Sequence, residues 1–237
     1  MSNSTRTPQE AALEASLGVR FSDLSLLRLA LTHRSYAFEL GLDHDNERLE
    51  FLGDSILGVT ITSELYNRLP DAREGRLAKI RAATVSTKSL AKVAALIDLG
   101  QAVRLGVGEQ KTGGAAKPSI LADTMEAVIG ALYLDQGLEV VRPVILNLFE
   151  PLLRDIATRN ASLDYKTSLQ ELVASTQPEQ PTYLISERGP DHEKEFTATV
   201  VVAGEELGWG TGPSKKQAEQ LAAAQAYITL NTRLRSA

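Results

Sequence analysis

Apolar residues recur at helical spacing up to about residue 155, and alternating runs of β-branched residues are few in this part of the chain. This pattern predicts an all-α region. The predicted helices cover Gln9–Leu17, Leu24–Thr32, Asp45–Leu69, Arg73–Thr84, Thr87–Ile97, Pro118–Asp135 and Leu138–Thr158. Between the fifth and sixth of these helices, residues 106–117 contain several glycines and show no periodicity, which predicts a mobile loop.

The pattern changes after Asp155. In the stretch Glu195–Val202, apolar residues alternate with residues such as Thr197 and Thr199, which is the period of a half-buried strand. The predicted order is helix Thr167–Ser175, strands Thr182–Arg188, Glu195–Val202 and Glu205–Thr211, and helix Lys215–Leu230. We therefore predict an all-α domain over residues 1–157, a polar linker over 158–164 and a small α+β domain of α-β-β-β-α order over 165–237.

Two of the predicted helices carry acidic residues in apolar surroundings. Glu47, Glu50 and Asp54 lie at positions i, i+3 and i+7, and Asp123 and Glu126 lie at i and i+3, so each set occupies one helix face. Burying such charges costs several kcal/mol each unless something compensates. If the two faces meet, their oxygen atoms converge into a site suited to a hard cation such as Mg²⁺.

A purely structural interpretation of these acids remains open at this stage. They can lie exposed at the helix edges, or they can pair with Arg48, Arg81 or Lys117. Gly53 stands in the middle of the same acidic helix, where it costs about 1 kcal/mol relative to alanine. A sequence optimised for stability alone would not choose this combination.

Composition narrows the kinds of chemistry that the chain can perform. The chain has no cysteine, which excludes disulfides, zinc–thiolate sites and cysteine nucleophiles, and its three histidines are scattered. The amino terminus lacks the apolar core of a signal peptide, and no apolar run approaches the about 20 residues that span a bilayer. We therefore expect a cytoplasmic protein with no membrane partner.

The net charge of −5 makes nucleic acid a poor first guess, but local charge placement changes the picture. Lys215 and Lys216 fall in the first turn of the last predicted helix, where the helix dipole disfavours cations by about 0.3–1 kcal/mol unless an anion binds. Ser214 and Gln217 form a capping-box pattern there. The alternative is two ordinary surface lysines. The preceding Gly208, Gly210 and Gly212 predict a tight strand-to-helix turn.

The string NERLEFLGDS, residues 46–55, resembles the signature of the ribonuclease III family, and LADTMEA, residues 121–127, resembles that family's second acidic motif. The resemblance implies an all-helical endonuclease domain that dimerises and cleaves double-stranded RNA with Mg²⁺, for which Mn²⁺ can substitute. The residues that match the family's metal-binding carboxylates are Glu50, Asp54, Asp123 and Glu126. Asp54 and Glu126 are also the candidate catalytic residues. Glu47 and Glu74 match further family acids.

Residues 164–230 resemble the double-stranded RNA-binding domain, through KTSLQEL at 166–172, PTY at 181–183, GPDH at 189–192 and the SKK segment at 214–216. The resemblance assigns RNA contacts to Thr167, Gln170 and Glu171 in the first helix, to Pro190, Asp191 and His192 in a loop, and to Lys215 and Lys216. Contacts of this kind recognise the shape of A-form RNA rather than its base sequence.

The resulting hypothesis is a homodimeric endoribonuclease that leaves 5′-phosphate and 3′-hydroxyl ends with short 3′ overhangs, in ribosomal RNA precursor processing and other RNA processing. The rival is a non-catalytic RNA-binding or ribosome-associated protein, which the intact carboxylates argue against. The chain departs from the family pattern at Ala115 and Ala116, where the loop 106–117 is less basic, and at Thr84, where a larger aliphatic residue is common.

Overall fold

The computed structural model describes residues 5–70, 72–163, 165–176, 178–190 and 193–236, without the side chains of 155–163 and 235–236. The chain divides into two compact units, Met1–Ile156 and Ala157–Ala237. The first unit is mostly helical, as the spacing of its apolar residues predicts. Its helices are α1 (Pro8–Leu17), α2 (Leu24–Ala30), α3 (Arg34–Leu40), α4 (Glu47–Arg68), α5 (Glu74–Thr84), α6 (Thr87–Leu96), α7 (Val107–Lys111), α8 (Pro118–Gln136) and α9 (Leu138–Leu163).

Helix α8 lies at the centre of the first unit. It begins with Pro118, whose missing N–H costs nothing in the first turn, and eleven of its residues are buried. Helices α2, α4 and α6 pack against it. Because α8 is apolar almost all round, charged residues in its amino-terminal half are held close to the core. Asp123 and Glu126 are the two such residues near its first turns.

The sequence pattern does not predict two short helices of the first unit, α3 and α7. Helix α3 has only seven residues, its apolar side chains include the exposed Phe38, and it is capped by the His33 side chain and by Gly41 in the left-handed conformation. Helix α7 and a 3-10 helix, Gly114–Ala116, lie within residues 106–117, so the segment predicted as a mobile loop without periodicity is partly helical. Neither short helix completes enough turns to give a periodic signal.

A buried ionic network fastens α1 to the rest of the first unit. Glu10 is 2% exposed, and its carboxylate accepts hydrogen bonds from the Thr7 backbone N–H and from the guanidinium groups of Arg28 and Arg104, at 2.9 and 3.0 Å. Burial raises the pKa of Glu10, but the hydrogen bonds and the two cationic charges outweigh burial and lower the pKa below its ordinary value.

We expect Glu10→Gln to lower the free energy of unfolding at neutral pH by about 2 kcal/mol. Breaking a fully buried ion pair costs about 3–5 kcal/mol. We expect a smaller loss here because the side chains of Arg28 and Arg104 are 22% and 32% exposed, so that water screens their charges. Since folding lowers the pKa of Glu10, its stabilisation is present above the unfolded pKa of about 4.3 and is lost as the pH falls through the folded pKa.

Urea unfolding of both proteins at neutral pH and at about pH 3 measures this effect. The difference between the wild-type protein and the variant should shrink at the acidic pH. A difference that is the same at both pH values would contradict the ionic role of Glu10.

The second unit has the predicted α-β-β-β-α order. It contains α10 (Tyr165–Thr176), β1 (Thr182–Arg188), β2 (Glu195–Val202), β3 (Glu205–Gly212) and α11 (Lys215–Ser236). The strands form an antiparallel sheet of order β1-β2-β3, with a register shift between Val200 and Val201. Ala198, Val200 and Val202 alternate inward, as the period-two pattern predicts, and form a core with α10 and α11.

The glycines of β3 serve packing, and the predicted strand-to-helix turn that follows them is tight, because only residues 213 and 214 separate β3 from α11. Gly208, Gly210 and Gly212 lie within the strand at alternate positions. A Cβ at Gly208 would come within 2.4 Å of the Ala226 backbone nitrogen, and one at Gly210 within 2.5 Å of the Leu221 Cβ. The missing side chains therefore let α11 lie directly on the strand.

The predicted polar linker at residues 158–164 is helical over the part that the structure describes, because α9 continues to Leu163. Residues 158–163 contain no glycine or proline, and a polar composition alone does not end a helix. Residue 164 lies outside the described residues.

Candidate metal and nucleic-acid sites

Helices α4 and α8 approach each other most closely at two glycines. A Cβ on Gly53 would lie 1.7 Å from the Glu126 carbonyl oxygen, and one on Gly130 would lie 2.3 Å from the Leu49 carbonyl oxygen. Gly53 thus lies against the backbone of α8, and Gly130 lies against the backbone of α4. We call this pair of contacts the glycine crossing. It explains the costly glycine inside the acidic helix, because only glycine permits the backbones to approach this closely.

The glycine crossing brings carboxylates from the two helices together. Oxygen atoms of Glu50, Asp123 and Glu126 all lie within 4.8 Å of one another, and each of these residues is partly buried. We call these three residues the acidic cluster. Glu50 lies one turn before Gly53 on α4, and Glu126 lies one turn before Gly130 on α8. Three carboxylate oxygens in this arrangement offer a set of ligands suited to a hard divalent cation.

The electrostatics of the acidic cluster are unfavourable in the absence of a cation. Burial, and to a smaller extent the charges of Asp54, Glu50 and Asp123, together raise the pKa of Glu126 to about 8. Burial and neighbouring acids likewise raise the pKa of Glu50, and burial raises that of Asp123 against the opposing charges of nearby cations. Such perturbed carboxylates beside a cleft are typical of functional sites.

The other candidate acids lie outside the cluster. Asp54 is exposed on α4, one turn beyond Glu50, and is close enough for its charge to raise the pKa of Glu126. Glu47 is 57% exposed and lies 3.6 Å from Arg34. Glu74 is exposed at the first residue of α5 and does not join the acidic cluster found among the described residues. The roles of these acids stay predictions.

An open cleft of about 1200 Å³ borders the acidic cluster. Glu50 and Asp123 line it, together with Glu47 and the cations Arg34 and Lys117. The cleft therefore gives solvent, and any ligand dissolved in it, direct access to two of the three clustered carboxylates. The presence of cations beside the acids allows a polyanion to approach a site that is otherwise negatively charged.

Sequence reasoning missed three residues around this cleft. Asn46 is 3% exposed, its amide donates to the Ala30 carbonyl at 3.2 Å, and its backbone N–H donates to the Thr32 carbonyl at 3.0 Å. It thus fixes the start of α4. His33 and Arg34 line the cleft at the start of α3, and burial lowers the pKa of His33. The available signal for Asn46 was its place as the first residue of the acidic motif.

The segment 106–117 is held by contacts within itself and by a hydrogen bond to α3. The Lys117 ammonium donates to Glu109 at 2.5 Å and to the Thr112 hydroxyl at 3.1 Å, and the Val107 N–H donates to Glu39 at 2.8 Å. Because the Lys117 charge is already paired with Glu109, this segment has less free positive charge than its sequence suggests.

The candidate RNA-contacting residues lie on the surface of the second unit. Thr167, Gln170 and Glu171 are exposed on α10, Pro190 is exposed after β1, and Lys215 and Lys216 are exposed at the start of α11. The Lys215 ammonium lies 5.8 Å from the centre of the Phe196 ring, and the Ser214 hydroxyl accepts the Gln217 N–H at 3.3 Å, as a helix cap should. Asp191 and His192 lie outside the described residues.

Across the described residues, no helix combines the length and apolar character that a membrane span requires.

Comparisons with known proteins match both units. Residues 23–152 match the family described as Ribonuclease-III-like, and residues 165–230 match the double-stranded RNA binding motif. The chain is 53% identical over 226 residues to the protein named Ribonuclease 3 of Streptomyces coelicolor, a match that covers 95% of this chain and 82% of that protein. The two matches together span most of the chain.

Two solved structures of the nuclease domain of ribonuclease III from Campylobacter jejuni are also similar. One has a TM-score of 0.56 at 41% identity and covers 64% of this chain and 96% of that one. The other, described as showing structural flexibility in a region involved in dimer formation, has a TM-score of 0.56 at 43% identity and covers 59% and 95%. The fold of the first unit is therefore similar to that of these nuclease domains.

Proposed function

Because the chain belongs to the ribonuclease III family of double-strand-specific endoribonucleases, we propose that it cleaves RNA duplexes by Mg²⁺-dependent hydrolysis of phosphodiester bonds. The observation that carries this proposal is the convergence of oxygens from Glu50, Asp123 and Glu126 within 4.8 Å. Hydrolysis of this kind leaves a 5′-phosphate and a 3′-hydroxyl at each cut.

The residues of the acidic cluster fit a hard divalent cation. Carboxylate oxygens are the ligands that Mg²⁺ prefers, and burial raises the pKa of all three carboxyl groups, a penalty that a bound cation would relieve. We propose that Glu50, Asp54, Asp123 and Glu126 hold Mg²⁺, with Mn²⁺ as a substitute. When bound, the cation supplies a Lewis acid that activates water and stabilises charge on the phosphodiester.

The protein contributes position and access. Because the glycine crossing locks α4 against α8, the carboxylates are held in place before substrate arrives, and little ordering remains to be done during the reaction. The open cleft exposes Glu50 and Asp123 to an incoming RNA strand. Arg34, which lines the same cleft, places a cation where a phosphate of that strand would pass.

The metal requirement is tested by incubating the wild-type protein with a long, perfect RNA duplex. We expect cleavage with Mg²⁺ and with Mn²⁺, loss of cleavage with a chelator, and strong inhibition when Ca²⁺ replaces Mg²⁺, since Ca²⁺ prefers longer bonds and more ligands. End-labelling of the fragments identifies the 5′-phosphate. A protein that binds the duplex but cuts it under no metal condition would support the non-catalytic rival.

For the second unit we propose that α10 and the loop after β1 enter successive minor grooves, while the start of α11 meets the phosphates between them. Thr167, Gln170 and Glu171, Pro190 with Asp191 and His192, and Lys215 with Lys216 are the proposed contacts. The exposure of the described members and the match to the double-stranded RNA binding motif support this assignment.

We also propose that the protein acts as a homodimer, which would align two acidic clusters on one duplex and produce short 3′ overhangs. Phe51 follows Glu50 on α4 and is 79% exposed, and Phe38 on α3 is 88% exposed. Large aromatic side chains so exposed are typical of protein interfaces. The similar Campylobacter jejuni nuclease domain has a region involved in dimer formation.

Truncating Phe51 is expected to weaken this dimer. An interface aromatic of this size contributes about 2 kcal/mol, so Phe51→Ala should raise the dimer dissociation constant about 30-fold. Sedimentation equilibrium over a range of protein concentrations measures the constant. Leu96→Ala is the matched control, because Leu96 is 76% exposed but lies at the end of α6. Equal effects of the two substitutions would count against Phe51 as an interface residue.

Family membership alone supports three further proposals. The first is that residues 1–157 form the endonuclease domain, residues 158–164 the linker and residues 165–237 the RNA-binding domain. The second is that the protein cleaves ribosomal RNA precursors and other transcripts. The third is that it is located in the cytoplasm.

A further inference from the structure

An ion pair joins the two helices that carry the proposed RNA contacts. The Lys166 ammonium, in the first turn of α10, donates to the Glu219 carboxylate in the second turn of α11. The side chains are 35% and 21% exposed, so the pair is partly shielded from water. The same ammonium lies 4.4 Å from the centre of the Tyr183 ring on β1. Lys166 therefore holds three elements of the second unit together.

Apolar contacts, which are less directional, also join α10 to α11. Tyr165 and Tyr227 pack with their ring centres 5.7 Å apart. Leu169 and Val173 of α10 belong to the same buried core as the small residues Ala222 and Ala226 of α11. Apolar packing against alanines sets the separation of two helices but resists sliding weakly. The Lys166–Glu219 pair adds a directional contact near the first turns of both helices.

The neighbours of the ion pair are the proposed RNA contacts. Lys166 immediately precedes Thr167, and Glu219 lies three residues after Lys216 and four after Lys215. Side chains three or four residues apart are neighbours on a helix surface. A Glu219 carboxylate without Lys166 would therefore attract the two lysine ammonium groups and cancel part of the charge that they offer to phosphate.

We propose that Lys166 and Glu219 are positioning residues for RNA binding. Their pair fixes the register of α10 against α11, so that the minor-groove residues of one helix and the phosphate-binding lysines of the other meet the same duplex together. It also keeps Glu219 away from Lys215 and Lys216. This inference rests on the proposed RNA contacts of the second unit.

A charge-swap cycle in the full-length protein tests the proposal. The variants are Lys166→Glu, Glu219→Lys and the double swap, and the measurement is the Kd for a perfect RNA duplex in the presence of a chelator, which prevents cutting. We expect each single variant to bind about 10-fold more weakly and the double swap to return to within about 3-fold of wild type, since residues that interact directly show non-additive effects. If surface charge alone mattered, Glu219→Lys would bind more tightly than wild type, and that result, or additive effects, would overturn the proposal.

Thermal unfolding followed by circular dichroism separates positioning from a purely structural role. Affinities are compared at a temperature where each variant is fully folded. A purely structural role would lower the Tm of both single variants but leave the Kd of the folded protein unchanged, which would overturn the proposal. If Lys166→Glu fails to fold, Lys166→Met with Glu219→Gln and their double variant provide the same cycle without charge reversal.

Two further variants complete the design. Arg233→Glu is the matched control, because Arg233 forms an exposed ion pair with Glu205 at 2.7 Å near the far end of α11, and its loss should change the Kd less than about 2-fold. Lys216→Ala tests the underlying contacts and should weaken binding and reduce the slope of log K against log salt by about 1. If Lys216→Ala bound the duplex with the wild-type Kd, the proposed contacts would be refuted. If Lys216→Ala bound more weakly but the Lys166 and Glu219 substitutions showed additive effects on the Kd, only the positioning role would be refuted.

Discussion

Replacing Glu126 by glutamine should reduce the rate of duplex cleavage by a factor of about 10²–10³ while leaving RNA affinity within about twofold of wild type. Glu126 offers one of the three clustered carboxylate oxygens, and its charge acts beside the proposed cation. Loss of a charge-stabilising group at a reacting centre has an effect of this size. Binding should survive because the proposed duplex contacts lie in the second unit.

The expected effect on stability is opposite in sign. Folding raises the pKa of Glu126 to about 8, so above its unfolded pKa of about 4.3 folding must either protonate this side chain or bury its charge, and both destabilise the folded state. A neutral glutamine removes that penalty. Without divalent cations, Glu126→Gln should therefore unfold at the same temperature as wild type or higher.

Single-turnover cleavage with excess enzyme and calorimetric unfolding with a chelator check the two expectations. Glu139→Gln is the matched control, because Glu139 is an exposed glutamate at the start of α9 and should affect neither measurement. Cleavage by Glu126→Gln at the wild-type rate would remove this residue from the mechanism. A lower Tm with retained activity would instead make it a structural residue.

Replacing Gly53 by alanine should destabilise the first unit by about 3 kcal/mol and also abolish most cleavage. The added Cβ would lie 1.7 Å from the Glu126 carbonyl oxygen, and the obstacle is helix backbone rather than a flexible side chain. Helices α4 and α8 must move apart, and overpacking of this kind costs about 1–3 kcal/mol or more. A displacement of about 1 Å within the acidic cluster is enough to reduce catalysis about 100-fold.

The same helix provides the control for this substitution. Gly58 also lies in α4, but no atom lies within 4 Å of a Cβ placed there, so Gly58→Ala should be neutral or stabilising by up to about 1 kcal/mol. Chemical unfolding and the cleavage rate distinguish the two variants. If Gly53→Ala retained wild-type stability and activity, the glycine crossing would not determine the site geometry.

The regular parts of the fold were readable from the sequence because their periodicity extends over many residues. The structure has α4 and α8 within a residue or two of the predicted bounds, and β1 and β2 at the predicted bounds. Helices α3 and α7 were not readable, since they are short and are stabilised by caps and by contacts with distant residues such as Glu39. The continuation of α9 to Leu163 is not predictable from composition, because the mostly polar residues 158–163 are compatible with a helix as well as with a linker.

The residues of the candidate site could be predicted from the sequence, but their arrangement in space could not. Spacing placed the acids on two helix faces, and the resemblance to ribonuclease III selected four of them. Sequence alone could not determine that Glu50, Asp123 and Glu126 converge while Asp54 stays outside the cluster, because that depends on where α4 crosses α8. Nor could it connect Gly53 with Gly130, whose close contact joins positions far apart in the chain.

The glycine crossing sets a limit on how this protein can vary. At most catalytic positions, activity and stability oppose each other, and Glu126 is such a case, since its replacement relieves charge repulsion while removing function. At Gly53 and Gly130, by contrast, no substitution can increase stability at the expense of activity. The backbone contact between α4 and α8 stabilises the first unit and also sets the spacing of the carboxylates. A side chain at either glycine would therefore lower both stability and activity. Thermostabilised variants should therefore be sought elsewhere in α4, at positions such as Gly58.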